Sequence, residues 1–157
     1  RICKSQPNCT GVMVPALASL LARARKAGVF VLYSTREPES SKWMPEVAPA
    51  PGDPIVKSVG QDRFFSTDLD KMLKAKGITT LILTGWKVSG SVVYTSVGAT
   101  LRGYTVIVPT DASLAATDYE VAIGQFQILN QNSANATNEP LKANASTLSR
   151  TDMIVFQ

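Results

Sequence analysis

The sequence predicts a single α/β domain over residues 1–157, in three layers, with helices on both faces of a mostly parallel sheet. A length of 157 residues fits one domain with a sizeable core. A hydrophobic content of 45% with 18% charged residues indicates a globular chain. Short apolar runs alternate with segments of helical periodicity, and this order is typical of parallel sheets with right-handed crossovers.

The first elements are a helix, a buried strand and a proline-rich loop. A helix is predicted over 12–27 and ended by Gly28, because apolar residues recur on one face. VFVLYS, residues 29–34, is a continuous apolar run of the kind buried in parallel sheets. The five prolines between residues 36 and 54 indicate an ordered loop. Its Trp43 either walls a pocket or belongs to a surface excursion.

The alternation continues to the end of the chain. The predicted elements are a strand at 55–56, a helix at 68–76, a strand at 78–85, a helix at 90–102, a strand within 104–112, a helix at 116–130 and a strand at 153–156. A polar stretch, 130–150, separates the last two. In such sheets ligands bind beyond the carboxyl ends of the strands, where Lys57, Ser91 and Asp111 fall. Asp111 also suits a turn cap, and we favour that interpretation.

The absence of histidine limits the kinds of catalytic and metal sites that the chain could hold. It excludes a Ser-His-Asp or Cys-His site and metal sites that need imidazole, so we expect no metal. We also expect no cofactor. A general base would have to be Asp, Glu, Lys or Tyr. The net charge of +4 is scattered and lacks a basic stripe interleaved with aromatic residues. We therefore expect no nucleic-acid partner, and no apolar run reaches membrane length.

Two cysteines and three glycosylation sequons give information on the cellular compartment in which the protein resides. Cys3 and Cys9 could form a disulfide or remain two free thiols. The sequons start at Asn8, Asn135 and Asn144. Together these features favour a secreted glycoprotein, with a cytoplasmic protein as the alternative.

The stretch LILTGWKVSGSVVYTS, residues 81–96, has the pattern of a nucleophile loop. A strand breaks at Thr84-Gly85, and a run of small residues then opens a helix. Many α/β enzymes present a nucleophile in this way, and the candidate here is Ser91. Serine also suits a helix N-cap, which is the purely structural interpretation.

The chain resembles the isochorismatase-like cysteine hydrolases, which have a Rossmann-like fold. The resemblance runs over about residues 12–125 and is carried by ARKAGVFVLYSTRE, GDPIVK, DRFFSTDLDKML, GITTLILTG and GYTVIVPTDA. Its most specific part is TGWKVSGSVVYTS, where the family usually reads T-G-x-x-T-N-x-C-V. The family uses an Asp, a Lys and that Cys to attack a carbonyl or related carbon.

The resemblance assigns site residues one by one. It places the family lysine on Lys57 and the nucleophile on Ser91, where serine replaces cysteine. It implies a non-proline cis peptide between Lys87 and Val88, and an oxyanion hole made by the amides of Val88 and Ser91. Trp86, beside this loop, is either a pocket residue, like Trp43, or a packing residue.

The family's first strand and its aspartate have no counterpart in this chain. Residues 1–11 are polar and contain no aspartate, although that strand normally lies centrally, between the strands at 29–34 and 79–84. Without it, two rows of backbone groups in the core would lack partners. We therefore predict that the strand is supplied by a preceding segment, a companion fragment or a neighbouring copy in a homo-oligomer.

Three interpretations of Ser91 follow. It is an altered nucleophile in a hydrolase of small carbonyl, amide or vinyl-ether substrates, or it marks an inactive site. It could also be an engineered replacement. Serine ionises far less readily than cysteine and needs a matched base, for which Lys57 is a candidate. The alternative function is that of a secreted, non-catalytic protein that uses the fold for assembly or ligand binding.

Overall fold

The fold is an α/β arrangement of parallel strands, as the sequence predicts. The computed structural model describes residue 3 and residues 6–36 and 43–156. Its main elements are α1 (Val14–Lys26), β1 (Tyr33–Arg36), β2 (Ile55–Ser58), α2 (Leu69–Ala75), β3 (Thr80–Ile82), α3 (Val93–Thr100), β4 (Thr105–Pro109), α4 (Asp118–Asn130) and β5 (Ser146–Ser149). None of the helices within these residues is long and apolar enough to cross a membrane.

The strands form two parallel sheets rather than one. β1 pairs with β2 in the first sheet, and β3, β4 and β5 pair in that order in the second. Val106 and Val108 of β4 are fully buried, and Ile128 of α4 is buried with them in the main core. Among the residues that the structure describes, one edge of β1 and one edge of β3 pair with no other strand.

The apolar run at 29–34 is only partly a strand. The ladder with β2 begins at Tyr33 and continues to Arg36, whereas residues 29–32 belong to no ladder. The predicted bounds were therefore wrong by several residues. The run is not buried either, since Val29 is 39% exposed and residues 30–32 are half-buried. A ladder needs a neighbouring strand, and β2 provides one only from Ile55 onward.

The last strand lies earlier than predicted. MIVF, 153–156, is not a strand, and β5 lies instead within the polar stretch, with Val106 of β4 in register with Ser146. Ser146 is fully buried, and its hydroxyl donates to the carbonyl of Ile128 at 2.7 Å. Because its polar groups are satisfied by hydrogen bonds, this strand is buried without the apolar residues that the prediction required.

Asp111 holds the C-terminal segment against the end of β4. Its carboxylate accepts from the Thr151 amide at 2.9 Å and from the Thr151 hydroxyl at 2.6 Å. Arg23 donates to the carbonyls of Thr151 and Ile154 from the other side. Burial raises the pKa of Asp111, but the Thr151 hydrogen bonds and the charge of Arg150 outweigh it, so the pKa lies below its ordinary value.

The substitution Asp111→Asn is expected to lower the free energy of unfolding at pH 7 by about 1–2 kcal/mol, the usual cost of weakening hydrogen bonds to a charged group. Since the folded pKa is depressed, this stabilisation is present above the ordinary pKa and is lost as the pH falls through the folded value. Urea denaturation from pH 7 to pH 3 checks this. The exposed Asp152 is the control, and Asp152→Asn should change stability by less than about 0.5 kcal/mol. Equal effects of the two substitutions on stability would show that Asp111 does not hold the C-terminal segment against β4.

Candidate functional site

The candidate site is the loop between β3 and α3. Gly85 has a positive φ of 128°, a conformation that favours glycine, and its amide donates to the Ala112 carbonyl at 2.9 Å. The chain then passes through a cis peptide and enters a π-helical turn at Val88–Val92, which runs into α3. The strand, loop and helix order inferred from the sequence is therefore present.

Two details of the predicted loop are corrected. The non-proline cis peptide joins Trp86 to Lys87, one bond before the predicted position. The Val88 amide donates to the carbonyl of Leu114 at 2.9 Å, and Val88 is fully buried. This amide is consumed within the protein, so it does not suit the oxyanion role that the resemblance implied.

Close packing against α4 fixes the loop from behind. A Cβ built on Gly124 would lie 2.8 Å from the Ser89 amide nitrogen and 2.9 Å from the Val88 carbonyl carbon. These are backbone atoms, which cannot rotate away. Gly124 therefore lets the helix approach the loop directly and set its position.

Ser91 is half-buried in the π-helical turn, and its hydroxyl faces an arginine. Arg63 Nη2 donates to Ser91 Oγ at 3.2 Å. The same guanidinium donates to the carbonyls of Thr35 and Gly60 through Nη1, at 3.3 and 3.1 Å. A cation is thus held by backbone carbonyls beside the candidate nucleophile.

Sequence reasoning missed Arg63. It lies within the DRFF stretch that was matched as a family segment, but nothing in its local pattern distinguishes it from a surface arginine. Its main chain is also anchored, because the Arg63 amide donates to the Thr95 hydroxyl at 3.1 Å. The signal that identifies it is three-dimensional: one guanidinium spans the end of β1 and the start of the helix after β3.

Among the described residues, the side chain of Lys57 makes no hydrogen bond to Ser91. Lys57 is the third residue of β2, in register with Thr35, and its side chain is exposed. Within residues 6–36 and 43–156, the ammonium group of Lys57 forms neither a hydrogen bond nor an ion pair. The geometry places Lys57 at the same end of the strands as Arg63, since both are next to Thr35.

The two tryptophans lie in different surroundings. Trp43 packs edge-on against Tyr33 of β1, with ring centroids 5.0 Å apart. Trp86 packs against a separate buried cluster that includes Met13 and Leu114. Both are half-buried, and their contacts are those of packing residues, so their assignment to a substrate pocket stays a prediction.

A charged pair lies on the outer side of the loop. Lys87 forms an ion pair with Glu120 near the start of α4. The hydrogen bond from Lys87, more than any other contact, holds the pKa of the Glu120 carboxyl below its ordinary value. Glu120 also accepts from the Ala116 amide at 3.2 Å, so this carboxylate is engaged away from Ser91. The described residues contain no cluster of three or more groups suited to a metal ion.

The cysteines and sequons occupy clear positions. Cys3 and Cys9 are joined in a disulfide. Asn8 and Asn144 are exposed, whereas Asn135 is 5% exposed, and its side-chain amide donates to the Pro140 carbonyl at 2.7 Å. The same nitrogen also donates to the Thr147 hydroxyl at 3.3 Å. A glycan would replace one of its two hydrogens and so remove one of these bonds at a buried position, so the folded structure does not suit the prediction of a glycan at Asn135.

Comparison with known proteins identifies the family. A family model described as the isochorismatase domain matches residues 4–138. The chain belongs to the isochorismatase family. A streptothricin hydrolase of Streptomyces noursei is 32% identical over 104 residues, which cover 59% of this chain and 41% of that protein. An uncharacterized isochorismatase family protein of Bacillus subtilis, YwoC, is 35% identical over 80 residues, covering 51% of this chain and 42% of that protein.

Solved structures show the same fold. An isochorismatase-like hydrolase from Alkaliphilus metalliredigens superimposes with a TM-score of 0.75 at 20% identity, covering 90% of this chain and 80% of that one. N-carbamoylsarcosine amidase from Thermoplasma acidophilum gives a TM-score of 0.71 at 23% identity, covering 92% and 85%. The chain therefore has the fold of the isochorismatase-like proteins, and it spans less than half the length of the curated relatives it matches.

Proposed function

We propose that this isochorismatase family domain hydrolyses a small carbonyl, amide or vinyl-ether substrate, with Ser91 at the nucleophile position. The observation that carries the proposal is the placement of Ser91, whose half-buried hydroxyl stands where the loop from β3 turns into α3. Similarity to a streptothricin hydrolase and to an N-carbamoylsarcosine amidase supports hydrolysis of a small amide-containing molecule.

The chemistry requires a base that can accept the Ser91 proton. In attack on an amide, Oγ bonds to the carbonyl carbon, its proton passes to the base, and the base returns that proton to the amine as the C–N bond breaks. Water then attacks the ester that remains, the base takes a proton from the water, and Ser91 Oγ leaves with that proton as the acid is released. The family resemblance implies an aspartate on the first strand for this task, with Lys57 beside it. Arg63 stabilises negative charge on Oγ from 3.2 Å, which favours the attacking oxyanion over the neutral hydroxyl.

The alternative is a non-catalytic protein that uses the fold for binding or assembly. One observation favours it: Lys57 is exposed and, among the described residues, makes no contact that would direct it to Ser91. Serine in place of the usual cysteine also lowers the expected nucleophilicity at neutral pH.

We further propose that the protein is secreted. The disulfide between Cys3 and Cys9 supports an oxidising compartment. The exposed Asn8 and Asn144 are the positions that we expect to carry glycans if the protein passes through such a compartment.

Turnover of a panel of small amides and carbonyl substrates by the native chain and by Ser91→Ala and Ser91→Cys tests the hydrolase proposal. We expect slow native turnover, its loss by at least about 100-fold in Ser91→Ala, and a gain in Ser91→Cys, because catalysis depends steeply on the activated group. Thermal melts verify that all three are folded. Equal rates for the native chain and Ser91→Ala, or no turnover by any of the three proteins, would favour the non-catalytic alternative.

A further inference from the structure

A short strap of chain crosses the turn that carries Ser91. We use "strap" for residues 60–63, which follow the end of β2 and lead toward α2. Its Arg63 donates to Ser91 Oγ at 3.2 Å and to the carbonyls of Thr35 and Gly60. The strap therefore carries the cation that reaches the candidate nucleophile, and the contacts that hold the strap decide where that cation lies.

The hydroxyl of Thr95 ties two residues of the strap to α3. It accepts from the Arg63 amide at 3.1 Å and donates to the Gln61 carbonyl at 3.3 Å. A threonine hydroxyl has a single hydrogen to donate, and the Gln61 carbonyl receives it. Thr95 is 6% exposed, so the loss of this hydroxyl would leave the Arg63 amide without a ready replacement from water.

Thr95 lies on the same helix face as Ser91. The two residues are four positions apart along the π-helical turn and α3, and residues with this spacing are neighbours on a helix surface. The Thr95 hydroxyl thus anchors the main chain of Arg63 one turn beyond Ser91. From that anchor, the Arg63 side chain reaches Ser91 Oγ.

Two glycines let the strap lie directly on the helix. A Cβ built on Gly90 would lie 2.7 Å from Gln61 Oε1, and a Cβ built on Gly98 would lie 2.6 Å from Asp62 Oδ1. Both distances are too short for a side chain to be present. Gly90, Thr95 and Gly98 are therefore three successive places at which the strap contacts the helix.

A second buried hydroxyl holds the strap from the other side. Ser58, the last residue of β2, is fully buried, and its Oγ lies 3.3, 3.0 and 3.1 Å from the carbonyl oxygens of Gly60, Asp62 and Phe65. It also accepts from the Gly60 amide at 3.2 Å. These contacts set the curvature of the strap itself, whereas those of Thr95 join the strap to the helix that follows the nucleophile loop.

We propose that Thr95 is a positioning residue that holds the Arg63 guanidinium against the Ser91 hydroxyl. The inference rests on the proposed function in taking Ser91 as the nucleophile. Without the Thr95 hydroxyl, the Arg63 amide loses its acceptor, and the strap must move to satisfy that amide elsewhere. A guanidinium displaced from Ser91 stabilises negative charge there less, because the interaction weakens with distance.

The thiol pKa of Ser91→Cys, measured from the pH dependence of its alkylation rate, tests the proposal when Thr95 is also changed. Thr95→Val replaces the hydroxyl by a methyl group, and it should raise the thiol pKa by about 0.5 or more toward the ordinary value. Thr95→Ser keeps the hydroxyl, and it should leave the thiol pKa within about 0.2 of that of Ser91→Cys alone.

The matched control is Thr100→Val on the same helix. Thr100 is 5% exposed, but its hydroxyl donates to the Val97 carbonyl at 3.1 Å within α3. This substitution should leave the thiol pKa unchanged. Once Arg63→Met is present, Thr95→Val should have no further effect on the thiol pKa, because Thr95 acts through Arg63. A purely structural role of Thr95 would lower stability without this dependence on Arg63.

Hydrogen exchange of the native chain tests the anchor without any substitution, and it decides the matter if Thr95→Val does not fold. The Arg63 amide should exchange about tenfold or more slowly than an amide without a hydrogen bond. An Arg63 amide that exchanges as fast as an unbonded one would overturn the proposal. So would an unchanged thiol pKa in Thr95→Val, an equal rise in Thr100→Val, or an effect of Thr95→Val that persists in Arg63→Met.

These outcomes are distinguishable from failure of the proposed function, because the thiol pKa is measured without a substrate. Absence of turnover together with the expected pattern of pKa values would contradict the hydrolase proposal and support the role of Thr95. Turnover that depends on Ser91, together with a thiol pKa that Thr95→Val does not change, would support the hydrolase proposal and overturn the role of Thr95.

Discussion

Replacement of Ser91 by cysteine is expected to give a thiol with a pKa clearly below the ordinary value of about 8.5, shifted by roughly one unit or more. The physical cause is Arg63, whose Nη2 lies 3.2 Å from Ser91 Oγ and would stabilise a thiolate at the same place. The position also opens a helix, where the backbone dipole favours negative charge. The pH dependence of the iodoacetamide alkylation rate measures the pKa directly.

No other free thiol competes with the introduced cysteine in this experiment. Cys3 and Cys9 are the two cysteines of the sequence, and they are joined in a disulfide, so the introduced thiol is the one that reacts. Adding Arg63→Met to Ser91→Cys should return the pKa toward its ordinary value. A pKa at or above the ordinary value in the single variant, or a pKa that Arg63→Met does not change, would show that Arg63 does not stabilise negative charge at position 91.

The substitution Gly124→Ala is expected to lower the free energy of unfolding by up to about 2 kcal/mol and to displace the loop that carries Ser91. Two effects oppose each other. Alanine improves helix propensity by about 1 kcal/mol, whereas overpacking a dense contact costs about 1–3 kcal/mol. Overpacking should win, because the new Cβ would lie 2.8 Å from the Ser89 amide nitrogen, a backbone atom that cannot move aside alone.

Chemical denaturation measures the stability of this variant, and the alkylation rate of the Ser91→Cys background reports the loop position. The matched control is Gly11→Ala, since a Cβ at Gly11 would meet no atom within 4 Å. That control should leave stability unchanged or slightly increased. A Gly124→Ala protein as stable as the native chain, with unchanged alkylation, would show that α4 does not position the loop.

The sequence predicts the fold class well, because its signals are local. The predicted apolar strands contain β3 and β4, of which β4 is largely buried and β3 only partly buried, and α3 between them ends shortly before the expected Gly103. Polar pairing inside the core is not a local signal. Ser146 is fully buried in β5 because Ile128 and Gln131 accept and donate its hydrogen bonds, and neither contact can be read from the neighbours of Ser146 in sequence.

The candidate site was predictable only in outline. The position of Ser91 follows from the strand, loop and helix pattern and from the family motif. The role of Arg63 depends on a contact between residues 28 positions apart. Val88 was assigned from a motif, whereas its amide is taken by Leu114, a partner that only the packing of two separate segments brings together.

The measurement that tests the hydrolase account most directly is covalent labelling with a fluorophosphonate, a reagent that reacts with activated serine hydroxyls. Intact-mass spectrometry and peptide mapping of the native chain should find one adduct, located on Ser91, and Ser91→Ala should remove it. An adduct on another residue, the same labelling in Ser91→Ala, or no labelling of a folded native chain would contradict the assignment of Ser91 as the nucleophile.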